Sequence, residues 1–238
     1  MPTSIDALIF DLDGTLADSL GDIGEATNEV LVTHGLPALP MELYKDLVGE
    51  GAEVLVRRAV RAAQGRDWRL ESDALPVDVK VLLEGYRQSY DRMAHRRSTP
   101  YPGIEAMLDG VMKAGKPMAV LSNKRDEFTR HLVTLCFGRW AFVDVRGERD
   151  GVPRKPDPTA AWELGRALAV SPRHIGFVGD TPIDMRTANA AGMIGIGALW
   201  GFRSKEELVG AKARYLLERP EDLLRLLADP SGSGLEAE

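Results

Sequence analysis

The chain has 238 residues, 44% of them hydrophobic, with 30 Lys and Arg against 36 Asp and Glu and a formal net charge of −6. That is ample for one large domain, or for a core with one insertion. With no Lys/Arg block to track a phosphate backbone, it excludes nucleic acid as a partner on electrostatic grounds. The single cysteine, Cys136, lies in the apolar stretch HLVTLCFG and reads as a small core residue. A basic-then-apolar leader is missing, and so is any apolar run near the ~18 residues needed to span a bilayer. The expectation is a cytoplasmic protein with no membrane partner.

In chain order, SIDALIF (4–10) is a short apolar run and predicts a buried strand. From Asp18 to about Thr33, Leu20, Ile23, Ala26, Val30 and Leu31 recur at helical spacing. HGLPALP breaks that helix, and Pro40 opens another running toward Val48. After Gly49 and Gly51, AEVLVRRAVRAA is strongly helical, QGRDWRLESDALP is turn-rich, and VDVKVLLEGYRQSYDRMAH is helical again. Beyond Pro100 the character changes. KPMAVLSN, WAFVDVRG, HIGFVGD, MIGIGALWG and the start of ARYLLERPEDLLRLL read as strands, with helical segments between them. Such alternation predicts βαβ units and an open parallel sheet with helices on both faces. The expected organisation is an α/β Rossmann-like core of 1–17 and 98–228, an inserted all-helical domain of 18–97, and a disordered polar tail of 229–238.

Open α/β sheets bind ligands at the carboxyl ends of their strands. Three of these strands end in polar groups: Asp11 and Asp13; Ser122 and Asn123; and Asp180, with Asp184 four residues on. RKPDP adds Lys155 on a proline-flanked loop. Several carboxylates sharing one small site repel each other unless a cation sits among them, and all-oxygen ligands suit Mg2+. Lysine, metal and aimed donors together make a site for a phosphoryl group.

DLDGT after an apolar strand, LSN, RKPDP and GDTPID, in that order and with a helical block after the first strand, resemble the four motifs of the haloacid dehalogenase superfamily in its phosphatase branch. The resemblance implies the family's fold, with residues 18–97 as its cap. It implies Asp11 as nucleophile and metal ligand, Asp13 as general acid/base and main-chain metal ligand, and Ser122, Asn123 and Lys155 as phosphoryl-binding groups. Lys155 would balance charge, Asp180 would ligate Mg2+, and Asp184 would order the metal's surroundings or Lys155. LVGEGAEVLVRRAV, GFVGDTPIDMRTANAAGM and ALWGF resemble the phosphoglycolate phosphatase branch. On that resemblance Gly49, Glu50, Gly51 and Arg57 are the candidate substrate-facing cap positions. The partner expected is a small phosphorylated metabolite, met by a monomer or homodimer. A phosphomutase of the β-phosphoglucomutase type, or a phosphatase for another small ester or pyrophosphate, is the alternative. The mutase branch carries a histidine shortly after the first motif, where ADSLGDIGEAT has none.

Overall fold

The computed structural model describes residues 4–70, 75, 78–93, 96–229 and 234–237. Contacts divide the chain into two compact units, Met1–Asp18 with Pro100–Glu238, and Ser19–Thr99. Part of the turn-rich QGRDWRLESDALP stretch and His95 lie outside the described residues. Among the described residues no helix is long and apolar enough to cross a membrane.

Strand β1 (Ala7–Phe10) has all four residues fully buried, as a parallel strand covered on both faces must be. A tight loop follows it. Leu16 and Ala17 both donate to the Leu12 carbonyl (3.0 and 2.9 Å), and Gly14 N–H donates to Ala17 O (2.9 Å). The two-residue β2 (Ala17–Asp18) closes this part of the chain.

The inserted unit is helical: α1 (Leu20–Thr33), a 3₁₀ turn at Met41–Leu43, α2 (Tyr44–Leu47), α3 (Ala52–Ala63) and α4 (Val79–Met93). Helix α1 buries Ile23, Ala26, Thr27, Val30 and Leu31, the i, i+3, i+4, i+7 stripe of an amphipathic helix. The proline-rich link after α1 cannot pair as a strand, and the Asn28 carboxamide ties it down instead. That side chain donates to Leu39 O (2.9 Å) and accepts from Leu39 N–H and the Tyr44 hydroxyl (both 2.7 Å). At the other end of the unit, Asp22 on α1 is 1% exposed. It accepts from Arg97 N–H (3.1 Å), Ser98 N–H (2.9 Å) and the Ser98 hydroxyl (2.5 Å). Truncating it strands three donors, so Asp22→Ala should destabilise this unit by about 2–3 kcal/mol. The drop should be read as a lowered urea midpoint, and an unchanged midpoint would show that water satisfies those donors.

The chain re-enters the larger unit through β3 (Thr99–Pro100) and continues α5 (Ile104–Lys113), β4 (Met118–Arg125), α6 (Asp126–Phe137), β5 (Phe142–Glu148), α7 (Thr159–Leu168), β6 (Ile175–Gly179), α8 (Pro182–Ala191), β7 (Ile194–Ala198), α9 (Lys205–Gly210), β8 (Tyr215–Leu217) and α10 (Asp222–Ala228). The six-stranded sheet is parallel, in the order β5-β4-β1-β6-β7-β8. Alternate residues of the central strands face opposite layers. Leu8, Phe10, Met118 and Val120 pack with Ile104, Met107, Leu108 and Val111 of α5. Ala7, Ile9, Ala119 and Leu121 pack with Ala160, Ala161 and Leu164 of α7. Strand order reverses beside β1: the chain runs outward through β4 and β5, then returns to β6 on the other flank. A crevice opens at such a switch point, and β1, β4 and β6 are the strands whose ends carry the polar motifs.

The polar tail, expected to be disordered from 229 onward, is partly built into this unit. Leu216 N–H donates to Leu235 O (2.7 Å), Ala237 N–H donates to Arg214 O (3.0 Å), and Glu236 bridges Tyr215 in the antiparallel sense. Leu235 is buried and joins the core beside Tyr215 and Leu217. The polar composition of the segment hid this one apolar anchor. Residues 230–233 and 238 lie outside the described residues.

Candidate active site

Asp11 follows directly on β1, its N–H donating to Val178 O (2.9 Å), so the ladder to β6 carries one residue past the strand. Asp180 follows β6 in the same way and is fully buried. Neighbouring strand ends thus place these two carboxylates side by side. Asp184 sits in the first turn of α8, where an acid meets the positive end of the helix dipole. Its Oδ2 accepts from Thr181 N–H (3.1 Å) and the Thr181 hydroxyl (2.7 Å), and Asp184 N–H donates back to Thr181 Oγ1 (3.4 Å), completing a capping box. Ligand oxygens of Asp11, Asp180 and Asp184 all lie within 4.8 Å of one another.

Lys155 is the ammonium at the heart of this cluster, its side chain only 2% exposed. Nζ lies 2.8 Å from Asp11 Oδ1 and 2.7 Å from Asp184 Oδ1, and donates to Leu121 O at 3.1 Å. Three donors on one ammonium meet three acceptors. The backbone of Lys155 is pinned by Asn123, whose carboxamide accepts from Lys155 N–H (2.9 Å) and donates to Lys155 O (3.1 Å). The Lys155–Pro156 bond is cis.

Asp180 is held by two other segments. Its Oδ1 accepts from the Thr15 hydroxyl (2.9 Å) and its Oδ2 from Phe202 N–H (2.9 Å), while Trp200 Nε1–H donates to Thr15 O (2.9 Å). The 200–202 turn therefore presses against the loop after β1. Two glycines permit that approach: a Cβ on Gly14 would fall on the Asp180 carboxylate and the Phe202 ring, and one on Gly201 on Asp180 and the Gly14 carbonyl.

Three buried carboxylates against one ammonium leave the cluster short of positive charge. Burial first, then Asp184, pushes the Asp11 carboxyl well above the usual range, with Lys155 opposing. Burial and Asp184 likewise raise Asp180 to about 7, against the hydrogen bonds from Phe202 and Thr15. Burial alone would depress Lys155, but Asp11 and Asp184 outweigh it and push that ammonium's pKa up. A small hard cation would relieve the imbalance, and an all-oxygen donor set is what such an ion takes. The residues present therefore fit a divalent metal.

A profile described as Haloacid dehalogenase-like hydrolase matches residues 8–198. The chain belongs to that family. A phosphoglycolate phosphatase of Pseudomonas putida (strain KT2440) is 33% identical to this hydrolase over 230 residues, covering 94% of this chain and 80% of the relative. A phosphoglycolate phosphatase of Yersinia pseudotuberculosis is 32% identical, covering 96% and 95%. A solved structure from Lactobacillus delbrueckii subsp. bulgaricus superposes with a TM-score of 0.87 at 29% identity, covering 94% of this chain and 98% of that one. The chain is an enzyme of the phosphoric monoester hydrolase kind, similar to these phosphatases.

In this hydrolase Asp11, Asp180, Asp184 and Lys155 converge, and Ser122 and Asn123 lie in the C-terminal half of the adjacent strand β4, both buried. The carboxylate of Asp13 is not in the cluster. It is gripped by Lys124 Nζ at 2.7 and 2.8 Å, a residue that sequence reading missed. Strand β4 runs two residues past the LSN motif, where the sequence reading ends it, and so carries Lys124. Thr15 and the 200–202 turn were missed as supports of Asp180, although DGT and ALWGF contain them. Of the cap positions, Gly49 and Gly51 have φ of +117° and +90°. Glu50 is ion-paired with Arg58, and Arg57 donates to Glu53 at 3.0 and 2.8 Å. Both arginines thus have carboxylate partners inside the helical unit.

Proposed function

We propose that this hydrolase is a Mg2+-dependent phosphatase that converts 2-phosphoglycolate to glycolate and phosphate through an aspartyl-phosphate on Asp11. The observation that carries the reading is the buried set of three carboxylates around one ammonium at the switch point of the sheet. The named activity of the Pseudomonas and Yersinia relatives supports the substrate.

Asp11 is the nucleophile: its free oxygen attacks phosphorus and the ester P–O bond breaks. Lys155 holds the other oxygen and keeps the carboxylate ionised against the burial that favours its neutral form. Asp13 is the general acid/base, protonating the departing alkoxide and then taking a proton from the water that cleaves the aspartyl-phosphate. The Ser122 hydroxyl accepts from Lys124 N–H (3.2 Å), which leaves its own O–H to donate to the phosphoryl oxygens. Asn123 contributes by fixing Lys155 in place and binds phosphoryl from its strand-end position. Asp11 and Asp180, with the Asp13 main chain, would hold Mg2+, which supplies charge neutralisation for the transferring phosphoryl group. Asp184 orients Lys155 and orders the metal's surroundings. Gly49, Glu50, Gly51 and Arg57 are the cap positions that select the substrate.

Phosphate release from 2-phosphoglycolate, glucose 6-phosphate and a nucleoside monophosphate tests this, with Mg2+ and with EDTA. The expected result is Mg2+-dependent hydrolysis with at least a tenfold kcat/KM preference for 2-phosphoglycolate, about 1.4 kcal/mol of discrimination. Equal rates across the panel would remove the substrate. Undiminished turnover in EDTA would remove the metal. Conversion of β-glucose 1-phosphate to glucose 6-phosphate without free phosphate would replace hydrolysis by mutase chemistry.

A further inference from the structure

The mechanism above uses one lysine, yet the site holds a second. Lys124 is 7% exposed at its side chain, and its ammonium lies within 2.8 Å of both oxygens of Asp13. The three N–H donors of Lys155 already end on Asp11, Asp184 and Leu121 O. A general acid must lie about 2.6–3.2 Å from the oxygen it protonates. The ester oxygen therefore sits one hydrogen bond from Asp13, and Lys124 sits one hydrogen bond from the same carboxylate. In 2-phosphoglycolate a single methylene separates ester oxygen from carboxylate, which puts the carboxylate oxygens roughly 3 Å from the ester oxygen by standard bond lengths. The contacts Asp13, ester oxygen, substrate carboxylate and Lys124 then close into a ring of ordinary hydrogen-bond spans.

A carboxylate leaving water for such a site needs a cation opposite it. We infer that Lys124 recognises the carboxylate of the substrate, its ammonium shared between Asp13 and a carboxylate one carbon from the scissile ester. The inference rests on the phosphoglycolate reading and names the residue that would enforce it. The backbone supports the division of labour: Lys124 N–H donates to Ser122 Oγ (3.2 Å), so one strand end offers a hydroxyl to the phosphoryl group and an ammonium to the carboxylate.

Ethyl phosphate, the same ester with a methyl group in place of the carboxylate, is the probe. Wild-type enzyme should show a high ratio of kcat/KM for 2-phosphoglycolate over ethyl phosphate. In Lys124→Met that ratio should fall tenfold or more, chiefly through KM, and Lys124→Gln should behave alike and carry the test if the Met variant does not fold. Lys124→Arg should keep most of the preference. If the wild-type ratio is high and both neutral variants keep it, the two activities falling together, then Lys124 acts only through Asp13 and the inference is overturned while the substrate reading survives. A wild-type ratio near one overturns both.

Discussion

Asp11→Asn should abolish phosphate release, lowering kcat on the order of 10⁴-fold or more, while leaving the protein folded. The amide fills the same space and can still meet Lys155, but it has no charge with which to attack phosphorus. Stability should move the other way. Asp11 is one of three buried carboxylates facing a single ammonium, and burial together with Asp184 disfavours its charged form. Removing that charge relieves repulsion, so in metal-free buffer the variant should unfold at an equal or higher urea concentration. Turnover within tenfold of wild type would end the case for Asp11 as nucleophile.

Lys155→Met should be severe in both respects. The ammonium is 2% exposed and bonded to two buried carboxylates and a carbonyl. Deleting one member of a buried ion pair costs about 3–5 kcal/mol, because the partner charge is left uncompensated. Activity should be lost with it, since nothing then holds Asp11 ionised and aimed. The double variant Lys155→Met with Asp184→Asn separates the two effects. It removes one orphaned charge, so it should recover at least about 1 kcal/mol of the lost stability as non-additivity between contacting residues, yet remain inactive. Urea denaturation of the four proteins checks this. A Lys155→Met midpoint equal to wild type would mean that the cluster relaxes its charge by protonation at no net cost.

The parallel core was legible because its central strands are buried on both faces and read as unbroken apolar runs; Ala7 to Phe10 are the example. The polar residues at the strand ends were legible for the complementary reason: a carboxylate closing such a run has no packing role. What escaped was whatever depends on the reach of a side chain. Lys124 follows Asn123 in LSNKR and looks like a solvated charge at a strand end, but its four-carbon stem carries the ammonium back across the site to Asp13. Asn123 looks like a donor for an anion and nothing more, and its second task, bonding the Lys155 backbone with both ends of its carboxamide, was not legible. Phe202 holds Asp180 through its backbone N–H, which no side-chain pattern announces. Arg57 is absorbed by Glu53, one helical turn back on α3, a pairing that the i,i+4 spacing did encode.

The antiparallel bridge at Glu236 bears on how the molecule meets its own kind. Strand β8 ends the sheet order, and a bare last strand presents unpaired N–H and C=O groups as a template for another chain. Here Leu235 and Ala237 occupy groups of Leu216 and Arg214, and the Leu235 side chain seals the adjoining core. The C-terminal segment thus serves as a built-in protective cover. Trimming it, or displacing it with a bulky fusion, uncovers a sticky rim on the side of the sheet away from β5, so association and precipitation would rise before catalysis suffered.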